Sequence, residues 1–209
     1  MIRLHDYGRS SASYRVRIAL NLHGLAYEGV TVNLLTGAQR GADNLARNKQ
    51  GLVPTLEIDG LVLTQSLAII EYLEDTRGPR LMPADAAGRA RVRALSHAVA
   101  MEISAICNLS VRKHVEALTA GATKPEDWMR HYIVKGFAAL EAMLSDGQAG
   151  LYCHGDSVTM ADLTLLPQAY NAGRMGMDLT AWPLIAAITG RLSLLPEVAA
   201  AHPDRHASG

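Results

Sequence analysis

The stretch from Ile2 to Leu34 constrains this chain more than any other. Ile2-Arg3-Leu4-His5-Asp6 alternates apolar and polar side chains, the period of a short strand. Val16, Ala19, Leu20 and Leu22 then form an apolar stripe at helical spacing, ended by Gly24. Val30-Thr31-Val32-Asn33-Leu34 is short and β-branched, a second strand. A strand, a helix and a strand at this spacing predict a crossover that lays the two strands parallel. Between the first strand and the helix lies Arg9-Ser10-Ser11-Ala12-Ser13-Tyr14, three hydroxyls in a strand-to-helix turn. The first turn of a helix carries unpaired N–H groups and a positive dipole end, which suit an oxygen, sulfur or phosphate anion. Serine is also a preferred N-cap. Taken alone, the turn is open to both readings.

Beyond Leu34, Gly37 to Gln50 is polar, a loop with one weak helix around Asp43–Arg47. In Gly51 to Leu63, Asp59-Gly60 is a hairpin turn between two alternating strands. Pro54 cannot donate a ladder hydrogen bond and belongs at the start of its strand. Leu67, Ile69, Ile70, Tyr72 and Leu73 mark a third helix, expected to be capped by Thr64 or Ser66. Residues 1–78 therefore read as a small α/β domain. After the connector Gly78-Pro79-Arg80-Leu81-Met82-Pro83, alternation ceases and Ala and Leu dominate, so 86–209 reads as an all-helical domain. Its helices are expected at 86–119, 125–145, 159–174 and 182–194, with Thr159 capping one of them and Asp162 reaching back to its N–H. The tail from His202 to Gly209 reads as loose.

Lys plus Arg equals Asp plus Glu at 20 each, which argues against a general nucleic-acid or membrane-surface binder. Cys107 and Cys153 share no metal-ligand spacing and read as reduced thiols. His97, His114 and His131 share none either, so no metal is expected. The first residues are not a basic-then-apolar leader, and no apolar run approaches the roughly 18 residues of a membrane helix. A soluble cytoplasmic protein is the expectation.

Several segments, in order along nearly the whole chain, carry a likeness to a known family. They are Arg9-Ser10-Ser11 through Arg15-Val16-Arg17-Ile18-Ala19-Leu20, Val53-Pro54-Thr55-Leu56 and Gln65-Ser66-Leu67-Ala68-Ile69-Ile70-Glu71-Tyr72-Leu73. Asn108-Leu109-Ser110-Val111, Gly155 to Asp162, Asn171-Ala172-Gly173-Arg174 and Asp178-Leu179-Thr180 follow. The first half resembles a thioredoxin-like domain, and with the helical half the chain resembles a glutathione transferase. The Ser-Ser turn and the Asn-Ala-x-Arg segment resemble the zeta class, the maleylacetoacetate and maleylpyruvate isomerases. One departure is Ala12, where the family's usual turn has a cysteine. Dehalogenating relatives use that cysteine as a nucleophile, so Ala12 argues against that activity.

The resemblance implies glutathione as cofactor, a small dicarboxylic keto acid as substrate, and a homodimer. It implies Ser10, Ser11, Arg9 and Arg174 as catalytic residues, and Ser10, Ser11, Val53, Pro54, Gln65, Ser66 and Asn108 as glutathione contacts. The residues can be weighed against what glutathione needs. A free thiol has a pKa of about 8.5, and hydroxyl donors with a helix N-terminus lower it. Gln65 and Ser66 at a second helix start suit a carboxylate. Val53 before a cis Pro54 would offer an N–H and a C=O to an extended peptide. Arg9 and Arg174 offer planar forks to substrate carboxylates and developing charge. Asn108, Ser110 and Arg112 fall in the first long helical segment and could line the same cleft, with ordinary helix surface as the favoured reading for Ser110 and Arg112. Arg15 and Arg17 read as structural, each paired with a carboxylate elsewhere. The activity implied is glutathione-dependent cis–trans isomerisation of maleylacetoacetate-type acids in aromatic catabolism. A maleylpyruvate isomerase, a general glutathione-conjugating transferase and a non-catalytic member of the fold are the alternatives.

Overall fold

The computed structural model describes residues 1–206. The chain divides into two units, one of residues 1–80 with those from Ser193 onward, the other Leu81–Leu192.

The first unit contains β1 (Arg3–Asp6), α1 (Ser11–Leu22), β2 (Glu28–Thr31), α2 (Ala42–Arg47), β3 (Thr55–Ile58), β4 (Leu61–Thr64) and α3 (Ser66–Arg77). The sheet order is β2-β1-β3-β4, with β2 parallel to β1 and the β1–β3 and β3–β4 pairs antiparallel. Asp59 and Gly60 turn the hairpin at φ 53° and 77°, the left-handed pair that Asp-Gly tolerates best. Pro54 stands just before β3, as its missing N–H requires. The second strand lies at Glu28–Thr31 instead of Val30–Leu34. It pairs Arg3 with Glu28 and Asp6 with Thr31, and β1 ends at Asp6, so nothing remains for Leu34 to pair with. The Val32 N–H makes the final bond to the Asp6 carbonyl, 2.7 Å. Leu4, Val16, Ile18, Leu20, Leu56, Ile69 and Leu73 form the core between this sheet and the α1–α3 layer, each virtually inaccessible. Burial of such a side chain stabilises by about 1.5–3 kcal/mol relative to exposure.

The second unit contains α4 (Ala86–Val99), a π-helical turn (Ala100–Ser104), α5 (Leu109–Leu118), α6 (Pro125–Leu144), α7 (Met160–Arg174) and most of α8 (Pro183–Ser193). The continuous helix expected at 86–119 is broken twice. The π turn interrupts it first; then Asn108 leaves the helical conformation and caps α5 through its side chain. Gly136 of α6 accommodates the π turn, because a Cβ there would come within 2.4 Å of Ile103. At the start of α7 the buried Asp162 carboxylate accepts the Thr159 N–H and hydroxyl, both 2.8 Å, and the Cys153 N–H, 2.9 Å. The reach-back read from Val158-Thr159-Met160-Ala161-Asp162 is present and also ties down the Cys153 loop.

Two expectations are corrected. The segment Ala86–Leu118 does hold an 18-residue window with mean hydropathy 1.3, so a stretch of membrane length and composition exists. The segment still holds no continuous apolar run, because Ser, His, Glu and Asn interrupt it, and its helix is broken at the π turn and at Asn108. Within it Arg91 makes a two-pronged bond to Asp146, 2.8 Å on each arm, and α4 packs on α6 and α7. The tail is not loose as far as His206. After α8 come α9 (Pro196–Ala200) and a 3-10 turn (Pro203–Arg205), with Pro203 buried. Asn21 of α1 donates to the Glu197 carbonyl, 2.8 Å, so this segment groups with the first unit instead of the helical one. Ala207, Ser208 and Gly209 of the expected loose tail lie outside the described residues.

Candidate active site

Strand register gathers three distant segments at one end of the sheet. His5 pairs with Thr55, and Thr55 pairs with Thr64. The chain after β1, the chain before β3 and the chain after β4 therefore leave the sheet at the same edge. Those segments carry Arg9-Ser10-Ser11, Val53-Pro54 and Gln65-Ser66.

Ser10 is the N-cap of α1. Its N–H closes a turn onto the Tyr7 carbonyl at 2.8 Å, and its Oγ accepts the Ser13 N–H at 3.2 Å. The capping role uses Ser10 as an acceptor and leaves its O–H able to donate. Ser11 opens the helix, half-buried, whereas Ser13 is fully buried and turned inward. The turn thus presents two hydroxyls, not three. Arg9 is exposed beside them.

The Val53–Pro54 bond is cis. Among the described residues neither the N–H nor the C=O of Val53 has a hydrogen-bond partner. The cap expected at Thr64 or Ser66 is absent. Gln65 occupies the N-cap position at φ 68°, with no side-chain bond to the helix. Its Nε2 donates instead to Gln50 Oε1, 2.7 Å. A non-glycine residue in that region costs about 1–3 kcal/mol and persists only where its surroundings hold it. The result is a helix N-terminus whose first N–H groups no side chain covers. Neither the Gln65 conformation nor the Gln50 contact has a signature in the local sequence.

Two arginines of α1 lie behind this edge. Arg15 is buried and donates to the Ser66 hydroxyl, 3.3 Å, linking the start of α3 to α1. Burial lowers its pKa to about 10. The Ser66 hydroxyl is one contact of this side chain. Arg17 does meet a carboxylate, that of Asp6.

In the second unit, Asn108 uses Oδ1 to accept the Ser110 N–H, 3.1 Å, which leaves its amide N–H groups available. Arg174 ends α7, exposed, with Cζ 5.9 Å from the centroid of the Tyr170 ring. Arg112 was read as helix surface and is not. It is half-buried, and its Nε has no partner. Burial is the main cause lowering its pKa, and the charge of Arg174 pushes the same way against Cys107 and Glu126. The helical unit thus holds two guanidiniums close enough to repel, one of them with an unsatisfied donor. The Arg112–Arg174 proximity spans α5 and α7 and leaves no trace in spacing. Cys107 and Cys153 are both free thiols and buried; burial raises Cys107 to about 11.

A thioredoxin-like sheet followed by helices, with open donors at one sheet edge, defines the glutathione transferase class. Residues 4–81 match the glutathione S-transferase N-terminal domain. The chain is 56% identical to a maleylacetoacetate isomerase of Rhizobium meliloti (strain 1021), across 97% of this chain and 96% of that protein. A solved zeta-class maleylpyruvate isomerase superposes with a TM-score of 0.92 at 41% identity, covering 96% of each chain. A maleylacetoacetate isomerase from Methylobacterium extorquens AM1, solved with malonate and GSH, gives 0.94 at 39% identity, over 99% of this chain and 100% of that one. The chain belongs to the zeta-class glutathione transferase family of maleylacetoacetate and maleylpyruvate isomerases.

Proposed function

We propose that this protein is a glutathione-dependent cis–trans isomerase of maleylacetoacetate-type cis-enedione acids, working in aromatic catabolism, with maleylpyruvate as the alternative substrate. The observation that carries the reading is the convergence of the Ser10-Ser11 turn, the unpaired Val53 amide groups and the uncapped α3 at one sheet edge. Glutathione needs a site for a carboxylate, a site for an extended amide and a site for a thiolate, and these residues match the three. When bound, glutathione supplies a thiolate whose reversible addition makes the substrate C=C single, so that it rotates before elimination.

The chain's own residues divide the remaining work. The α1 N-terminus with Ser10 and Ser11 holds negative charge on sulfur and so favours ionisation near neutral pH. Ser66, Gln65 and the first N–H groups of α3 take the γ-glutamyl carboxylate. Val53 and the turn at Pro54 pair with the cysteinyl amide, and Asn108 adds an amide donor. Arg9, Arg174 and Arg112 hold the substrate carboxylates and the charge that develops on its carbonyl oxygen. Two guanidiniums in one neighbourhood suit a dianionic acid better than a neutral electrophile. The dicarboxylate malonate in the Methylobacterium relative accords with that preference.

Arg174→Ala tests the division of labour. Turnover is expected to fall by about tenfold or more while glutathione binding, read by calorimetry, is kept. Unchanged turnover would remove Arg174 from the reaction. The same reading includes a cytoplasmic homodimer, to which two buried reduced thiols are suited. Sedimentation equilibrium at a single-subunit mass would contradict the dimer.

A further inference from the structure

Arg17 is fully buried on α1, yet it does more than neutralise Asp6. Its N–H groups reach separate segments of the first unit. Nη1 donates to the Asp6 carboxylate at the end of β1. Nη2 donates to the Gly8 carbonyl in the turn before Ser10, 2.8 Å. Nε donates to the Ala201 carbonyl just past α9, 3.0 Å. Cζ lies 5.5 Å from the centroid of the Tyr14 ring, and that ring meets His202 edge-on at 6.0 Å.

The Gly8 contact bears on the chemistry. In a trans peptide the C=O and the next N–H point in opposite directions. Drawing the Gly8 carbonyl toward the guanidinium therefore turns the Arg9 N–H away from it, and Arg9 itself is exposed. The following amide, Ser10 N–H, closes onto Tyr7. The guanidinium thus fixes the peptide plane that leads into Ser10 and Ser11. A buried ion pair alone can often be exchanged for apolar residues without loss. Reaching the Gly8 carbonyl, the Asp6 carboxylate and the Ala201 carbonyl at once needs the planar fork of arginine, which lysine lacks.

We propose that Arg17 is a positioning residue for the Ser10-Ser11 turn, and that the C-terminal segment completes its grip through Ala201. The proposal rests on the reading of that turn as the thiolate site. It makes the reactivity of the turn depend on a segment at the far end of the chain.

The test compares the wild-type protein with Arg17→Lys and with a chain ending at Ala200, which lacks the Ala201 acceptor. In the free proteins, the Arg9 and Ser10 amides are followed by NMR and hydrogen exchange. In the glutathione-loaded proteins, thiolate absorbance is titrated against pH. Both variants are expected to stay folded, to shift those two amides and speed their exchange, and to raise the apparent thiol pKa by about one unit, roughly tenfold less thiolate at neutral pH. The loss in kcat should recover as pH rises, with KM for glutathione changed by less than about twofold. A folded Arg17→Lys protein with unmoved amides and an unmoved thiol pKa overturns the proposal. A truncated chain matching wild type on both readouts overturns the part assigned to Ala201. If both variants fail to fold, the cluster serves the fold alone, and the positioning role is overturned as well. Should wild type with glutathione show no thiolate band, the reading of the turn fails instead, and the Arg9 and Ser10 amides still decide whether Arg17 holds the turn.

Discussion

Ser10 illustrates how one hydroxyl can answer to two demands. Its oxygen caps α1 by accepting the Ser13 N–H, and its proton stays free for a second partner. The capping reading made from sequence holds for this residue, and the proton left over is what the proposed thiolate site would use. Ser10→Ala is expected to cost about 0.5–2 kcal/mol of stability through the lost cap, read from urea unfolding. Ser11→Ala, one residue inside the helix and off the N-cap position, should cost less. A Ser10→Ala protein as stable as wild type would show that the cap contributes nothing. Legibility at this scale followed locality. Ser10, Ser11, Gln65 and Ser66 could be named as candidates because each sits at a helix start that the sequence marks. Arg112 was legible only as a residue able to line the cleft, since its burial and the charge of Arg174 from another helix leave no mark in the local sequence. Gln65 was found for its position, but not for its left-handed backbone, which depends on surroundings that the local sequence does not encode.

Among elements, the order of strands and helices in the α/β half was legible, because its strands are short and its turns carry Asp-Gly and Pro signals. The error at β2 arose because β-branched residues mark strand propensity, while the partner strand decides where pairing stops. In the helical half, a strong helix pattern hid the π turn and the Asn108 cap. The π turn depends on Gly136, so Gly136→Ala should drive a methyl into Ile103 and cost about 1–3 kcal/mol, measured by thermal or urea unfolding. A neutral result would mean that Ile103 and the π turn yield freely. The pair between Arg91 of α4 and Asp146, just past α6, gives a pH prediction. The Arg91 hydrogen bond, followed by backbone bonding from Gln148, lowers the Asp146 pKa to about 2. A carboxylate with its folded pKa depressed contributes stability that is present above its ordinary value and lost as pH falls through the folded value. The contribution of this pair should therefore fade between about pH 4 and pH 2. Asp146→Asn should abolish that part of the acid dependence, and an NMR titration placing Asp146 near its ordinary value would contradict it. The pair is partly exposed, so its effect on total stability should be small.

At the scale of the whole molecule, the chain order of the sequence is not the order of its units. The C-terminal segment returns to the sheet unit, where Asn21 and Arg17 of α1 hold Glu197 and Ala201. Sequence reading assigned it to the helical domain because contiguity was the only guide available; the contacts that relocate it join residues from opposite ends of the chain. The functional reading likewise depends on assembly. The Ser-Ser turn, Val53-Pro54 and Gln65-Ser66 are individually unremarkable, and strand register makes them one edge. The central claim is that this edge serves a glutathione-dependent isomerisation, and Ala12 leaves the turn without a sulfur nucleophile of its own. The most direct measurement is a spectrophotometric assay of purified protein with maleylacetone and with maleylpyruvate, each with and without glutathione. The account predicts cis–trans conversion of at least one of them that requires glutathione and does not consume it. No conversion of either acid, equal conversion without glutathione, or stoichiometric loss of the thiol would contradict it.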